Sequence, residues 1–325
     1  MINLVYIMAA SHSGSTLLSM LLGSHPQIAT VGELKLSSKA IGDLTNYRCS
    51  CGQFIRQCNF WQQITKGMAR RDYKFDITDA GTDYRVNESY FTQRLLNSTV
   101  RGKFLENCRD AALGLSHVWR KQLPEIHKRN AALVSTITEL TKARIVVDSS
   151  KTGLRLKYLL LNSELDIKVI RLIRDGRAVA LTYMDPADFA DAKDPALRAG
   201  GTGGDRQNER LTIAQAAYQW RRCMEEAQNV LNRLDQSQWM ALHYEDLCGD
   251  TDNMLDSIFR FLDLDPEKRE KDFRSVSQHV IGNGMRLDTT SEVRLDERWR
   301  EILTEDNLIT FERIAGVMNR QHGYE

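Results

Sequence analysis

Leu4-Val5-Tyr6-Ile7-Met8-Ala9-Ala10-Ser11-His12-Ser13-Gly14-Ser15-Thr16-Leu17-Leu18-Ser19-Met20-Leu21-Leu22-Gly23 is the stretch that decides the fold. Its first six residues form a short, continuous apolar run, which reads as a strand buried on both faces. From Thr16 the apolar residues recur at helical spacing and stop at Gly23, just before His25-Pro26. The order is therefore strand, tight Ser/Gly loop, helix. The first N–H groups of such a helix have no acceptor within it and carry the positive end of its dipole, while Gly14 allows close approach to the backbone. The loop thus reads as an anion site. A helix capped by Ser or Thr after a glycine turn is the plainer reading of the same residues.

The pattern repeats further along the chain. Ala143–Val147 and Ile167–Ile173 are β-branched runs followed by helical stretches over 153–163 and 176–184, and Trp239–Leu242 is a fourth run. Strands alternating with helices predict an α/β fold: a three-layer sandwich around a central parallel sheet, with ligands bound beyond the carboxyl ends of the strands. Residues 60–140 have helical periodicity and are too long for a bare connection, so they predict a helical insertion that covers the sheet and lines the acceptor pocket. Residues 185–210, with prolines and the run Gly200-Gly201-Thr202-Gly203-Gly204, predict a mobile loop that also serves the acceptor. At 325 residues the chain is expected to be one domain, 1–325.

Lys and Arg number 44 against 43 Asp and Glu, a formal charge of +1, so the composition has no electrostatic footprint for nucleic acid or an acidic membrane surface. Any basic site must be local. The start of the chain lacks the basic segment of a secretory leader, and no run of 18 apolar residues occurs, so the expectation is a cytoplasmic protein without a membrane span. Six cysteines are too few for a disulfide scaffold. Cys108, Cys223 and Cys248 stand singly. Cys49, Cys51 and Cys58 cluster as C-x-C-x6-C without a fourth cysteine or a histidine close in sequence. Plain buried thiols are the first reading of the cluster, with a disulfide or redox pair and a structural zinc site as the others.

A kinase or ATPase loop of the form G-x-x-x-x-G-K-[ST] needs its Lys for the β/γ-phosphates and its hydroxyl for Mg²⁺, and this loop has neither that Lys nor that spacing. His12-Ser13-Gly14-Ser15-Thr16 instead resembles the phosphosulfate loop of the sulfotransferase family, [KR]-S-G-[ST]-[ST] after the first strand. His12 departs from it at the first position, where a ring with a pKa of about 6.5 is mostly neutral at pH 7. Val169-Ile170-Arg171-Leu172-Ile173-Arg174-Asp175-Gly176, with Thr182 eight residues after Arg174, resembles the family's 3′-phosphate motif. His279-Val280-Ile281-Gly282-Asn283-Gly284-Met285-Arg286 is similar to its late glycine-containing basic loop, and Tyr244 in Tyr244-Glu245-Asp246-Leu247 to a position beside the adenine.

The resemblance implies transfer of a sulfuryl group from 3′-phosphoadenosine 5′-phosphosulfate (PAPS) to an acceptor hydroxyl or amine, leaving adenosine 3′,5′-bisphosphate (PAP), with no metal required. It places His12, Ser13, Gly14, Ser15, Thr16, Leu17, Arg174, Thr182, Tyr244 and Arg286 on the donor. Glu33, in Thr30-Val31-Gly32-Glu33-Leu34-Lys35, matches the catalytic Glu of the tyrosylprotein branch, and Lys151 the family's catalytic Lys. His12 competes with Glu33 for the role of base. A small molecule, glycan or lipid acceptor, and a homo-oligomer, remain open, as do two other classes: a P-loop kinase and an inactive nucleotide-binding protein. Lack of a Mg²⁺ requirement separates the first reading from the kinase.

Overall fold

The structure, a computed structural model, describes residues 1–35, 47–85, 89–97, 102–201 and 206–325. Five strands form one parallel sheet: β1 (Ile2–Ala9), β2 (Ile28–Thr30), β3 (Ile145–Lys151), β4 (Leu165–Ile173) and β5 (Trp239–His243), in the order β2-β3-β1-β4-β5. The chain builds the β2-β3 side first and crosses over β1 to β4, which makes β1 the strand beside which the order reverses. A crevice at the carboxyl ends of the strands next to that point is where such sheets bind ligands.

β1 shows why the sheet is covered on both sides. Leu4, Tyr6 and Met8 pack into one apolar cluster, and Val5, Ile7 and Ala9 into another across the sheet. With two residues per side-chain repeat, a strand apolar at every position must bury both faces. On the first face lies α5 (His117–Thr141), which contributes Leu133, Val134 and Ile137. On the other lie α1 (Ser15–Leu22) and α10 (Thr251–Phe261), with Leu18, Leu255, Ile258 and Phe259. The sheet is the middle layer of three.

Between β2 and β3 lie α2 (Asn59–Ala69), α3 (Tyr90–Asn97), α4 (Gly102–Leu115) and α5, while residues 70–85 between α2 and α3 are not helical. α6 (Gly153–Leu159), α7 (Gly176–Met184) and α8 (Ile213–Leu231) follow β3 and β4, and α9 (Tyr244–Gly249) follows β5. β2 is absent from the sequence reading. With three residues at the sheet edge, it is recognisable only through its pairing, Ile28 with Ile145 and Thr30 with Val147. Among the described residues, no helix is long and apolar enough to cross a membrane.

Candidate active site

Each strand delivers a residue from its carboxyl end to one cleft of about 1050 Å³: Ser11, His12 and Gly14 to Leu17 after β1, Glu33 and Lys35 after β2, Lys151 from β3, Arg174 after β4 and Tyr244 after β5. α1 starts at this cleft without a cap. Gly14, with φ 86°, precedes it, and no side chain accepts from its first N–H groups. The left-handed turn at Gly14 lies against Tyr244, whose ring carbon would sit 2.5 Å from a Cβ there, so the close approach of ring to loop requires glycine. Gly14, Ser15, Thr16 and Leu17 line the cleft, while Ser13 is buried behind them.

Glu33 is held from three sides. Asp148 Oδ1 accepts from Leu34 N at 3.2 Å, Ser150 Oγ from Lys35 N at 3.1 Å, and Gly32 O from Ser149 N at 3.0 Å. Gly32 has φ 87°, and a Cβ on it would stand 1.9 Å from the Ile281 carbonyl oxygen. Asp148 is itself fixed by a wholly buried pair with Arg155, Oδ2 to Nε 2.8 Å. Lys151 arrives opposite through an irregularity in the sheet. Tyr6 pairs with Asp148 but Met8 pairs with Lys151, so β3 carries one extra residue, and Lys151 has φ 71°. A bulge of this kind redirects a side chain, and here it brings Lys151 Nζ to Glu33 Oε1. Lys35 Nζ holds Oε2 at 2.8 Å. Burial alone would raise the Glu33 carboxyl, but Lys151 and Lys35 outweigh it and hold the group down at about 2.

Arg174 joins the other end of the cleft. Its guanidinium lies 4.5 Å above the Tyr244 ring, donates to His12 O at 2.9 Å, and reaches Asp296 O at 3.1 Å and Oδ2 at 3.0 Å. Burial of Asp296 opposes its ionisation, but Arg298 and Arg174 hold it down at about 2. His12 sits between these centres with φ 65° and its ring edge-on to Tyr183 at 5.0 Å. Burial, then Arg206, Lys151 and Arg174, hold its imidazole down at about 3, so the ring is neutral at physiological pH.

The family model for the sulfotransferase family matches residues 5–268. The chain belongs to this family. Its fold is similar to that of a sulfotransferase from Mycobacterium avium, with 10% identity and a TM-score of 0.50 over 100% of this chain and 78% of that one. The sulfotransferase domain of the curacin biosynthetic pathway has 16% identity, a TM-score of 0.49 and coverage of 100% and 99%. The sulfotransferase domain of the Synechococcus PCC 7002 olefin synthase has 17% identity, a TM-score of 0.46 and coverage of 96% and 94%. No curated protein sequence matches the chain.

In this sulfotransferase the cleft gathers His12, Gly14 to Leu17, Glu33, Lys151, Arg174 and Tyr244, but besides the buried Ser13 two sequence candidates lie outside it. Thr182 is buried in α7 and its Oγ1 donates to Val179 O at 2.7 Å, so its hydroxyl is spent within the helix. Arg286 is buried behind the wall. Its guanidinium lies 4.6 Å over Tyr47 and donates to the carbonyls of Gly282 at 2.7 Å, Asn283 at 3.0 Å, Gly200 at 3.3 Å and Arg48. It braces the wall rather than facing the cleft. Nor does the 60–140 insertion line the cleft among the described residues. The opposite walls come from 188–200, 206–211 and 273–298, with Arg206, Arg274 and Asp296.

Those three residues escaped the sequence reading. Arg206 pairs with Asp191 at 2.9 Å and Glu209 at 2.6 Å, while Arg274 donates to three carbonyls, of Met285, Arg286 and Thr290. Asp296 is one acidic residue in a polar segment and carries no signal until Arg174 is seen beside it. The described part of the 185–210 segment holds short helical turns, two of them capped by Asp185 and Asp194. The part of its glycine run at 202–205 lies outside the described residues.

Proposed function

We propose that this cleft transfers a sulfuryl group from PAPS to an acceptor hydroxyl or amine. The observation that carries the reading is the meeting of the uncapped start of α1 with the Lys151–Glu33 pair. The helix start suits the donor's 5′-phosphosulfate, which is one phosphate and one transferable group with no need of a bound metal. Arg174 and Tyr244, at the far end of the loop, suit the 3′-phosphate and the adenine. The S–O bond to the donor phosphate breaks and a new S–O or S–N bond forms to the acceptor. The departing phosphate oxygen keeps the electron pair, and Lys151 stabilises it. Glu33 receives the acceptor's proton, with neutral His12 as the rival base. The room beside Glu33 suits a small molecule, a glycan unit or a lipid headgroup as acceptor.

In this reading the carboxylates are placeholders for the donor. Asp296 occupies the guanidinium that would take the 3′-phosphate, and Glu33 the ammonium that would take the leaving oxygen. The test is calorimetric titration with PAP against ATP·Mg²⁺. PAP is expected to bind in the absence of Mg²⁺ and ATP·Mg²⁺ at least about tenfold more weakly, whereas preference for ATP·Mg²⁺ would favour a kinase. Arg174→Ala is expected to weaken PAP by about 1–3 kcal/mol through loss of a charge-assisted contact. Asp296→Asn, which frees the same guanidinium, is expected to tighten it. Unchanged affinity in both folded variants would remove Arg174 from the donor site.

A further inference from the structure

Cys49, Cys51 and Cys58 do not line the cleft, and the fold brings His279 to them from 221 residues beyond Cys58. The four potential ligand atoms all lie within 4.8 Å of one another. His279 Nδ1 is 3.4 Å from Cys58 Sγ and 3.7 Å from Cys49 Sγ, and Cys51 Sγ is 3.7 Å from Cys58 Sγ. A tetrahedral zinc with Zn–S of about 2.3 Å and Zn–N of about 2.0–2.1 Å requires S···S edges of about 3.8 Å and S···N edges of about 3.6 Å. We propose that Cys49, Cys51, Cys58 and His279 form a structural Cys₃His zinc site.

The surroundings suit a bound ion. Cys58 is the residue before α2, where the helix start favours a negative sulfur. The His279 ring stacks on Phe60 at 4.5 Å with planes 6° apart, which fixes the direction of Nδ1. Cys49 and Cys58 are buried and Cys51 is exposed beside a surface cavity of about 530 Å³, which gives the ion a route in. A disulfide would need sulfurs about 2.05 Å apart, and all three cysteines are free. Three thiolates and an imidazole leave no open position in a tetrahedral shell, and soft ligands of this kind select zinc over Mg²⁺ or Ca²⁺.

The site would knot together two segments that build the cleft. Ser50 Oγ donates to Gln278 O at 2.7 Å and accepts from Val280 N at 2.8 Å, and Tyr47 Oη bonds both the N–H and the C=O of Gly282. Tyr47 and Gly282 line the cleft. Zinc at His279 therefore anchors the cleft wall at Tyr47 and Gly282, beside α1, without entering the reaction, and its presence is measurable whatever the reaction proves to be.

The full chain, purified without a polyhistidine tag from zinc-supplemented cells, is expected to hold about one zinc per chain by elemental analysis after dialysis against a weak chelator. Stripped with a mercurial and refilled with Co²⁺, it should show the thiolate charge-transfer and intense d–d bands of tetrahedral cobalt. Stripping alone should lower Tm on the order of 5–10 °C. Cys51→Ser, at an exposed position, and His279→Ala should each weaken zinc retention by roughly 100-fold. The proposal is overturned if the wild type holds no zinc and gives no cobalt spectrum, if both variants retain a full equivalent, or if mass spectrometry of the native protein finds Cys51 and Cys58 oxidised to each other. The cobalt titration uses the wild type, so a variant that does not fold leaves the decision intact.

Discussion

Lys151→Ala is expected to lower kcat by about 10²–10³ while raising the donor KM less than about tenfold, read from steady-state kinetics with the donor varied at saturating acceptor. In the proposed transfer, negative charge grows on the phosphate oxygen as the S–O bond breaks, so a positive group beside it stabilises the transition state more than the bound donor. Lys151 is built for that place. The extra residue in β3 and the left-handed backbone at Lys151 bring its ammonium to Glu33, within the cleft where α1 starts. Backbone strain of this kind persists only where the surroundings impose it. The variant should fold, because Glu33 keeps Lys35 at 2.8 Å as its counter-charge. A change confined to the donor KM would make Lys151 a binding residue alone.

The sheet and the loop were legible because their signal is local. A doubly apolar strand, a Ser/Gly turn and an apolar helix lie within residues 4–23, and β4 with Arg174 repeats the pattern. What stayed hidden depends on pairing between distant segments. The bulge that orients Lys151 exists only relative to β1, and β2 is visible only through β3. Arg286 and Thr182 carry the chemistry of phosphate ligands, yet the terminal nitrogens of one are engaged by carbonyls from three segments and the hydroxyl of the other by its own helix. The C-x-C-x6-C cluster lacked a fourth ligand only in sequence. His279 reaches it because Ile281 N bonds Val31 O and Ser50 bridges Gln278 and Val280, contacts that no spacing rule encodes. The 60–140 half of the expected acceptor wall is missing from the cleft for a related reason. The apolar face of α5 is consumed by the sheet, which leaves the cleft to the polar turns of 188–200, 206–211 and 273–298.

Glu33→Gln is expected to remove about 10²–10⁴ of turnover and to leave PAP affinity within a few-fold, because the amide keeps the shape and loses the basicity. The carboxyl is held at about 2 in the folded chain, below its ordinary value near 4.5. For a depressed carboxylate, the stabilisation it gives is complete above the unfolded value and is lost as pH falls through the folded one, here between about 4.5 and 2. Above pH 5 Glu33 is therefore ionised throughout, and kcat/KM should show no acidic limb from it. His12, held at about 3, is equally silent there, so a pH profile of the wild type cannot separate the two bases and the variants must. A carboxylate between two lysines is a weak base. It becomes a competent one only when the donor draws Lys151 away, which makes proton removal conditional on a filled donor site. Glu33→Gln should accordingly lose turnover at every pH from 5 to 9, an expectation that follows from the folded carboxyl lying near 2. His12→Lys, which puts the family's usual cation at the head of the loop, should hold kcat within about tenfold. Glu33→Gln also leaves Lys151 and Lys35 without a counter-charge, so Tm should fall by an amount equivalent to about 1–3 kcal/mol, and PAP binding serves as the control for folding. An active Glu33→Gln enzyme beside an inactive His12→Lys enzyme would assign the proton to His12 and reduce Glu33 to the residue that parks Lys151.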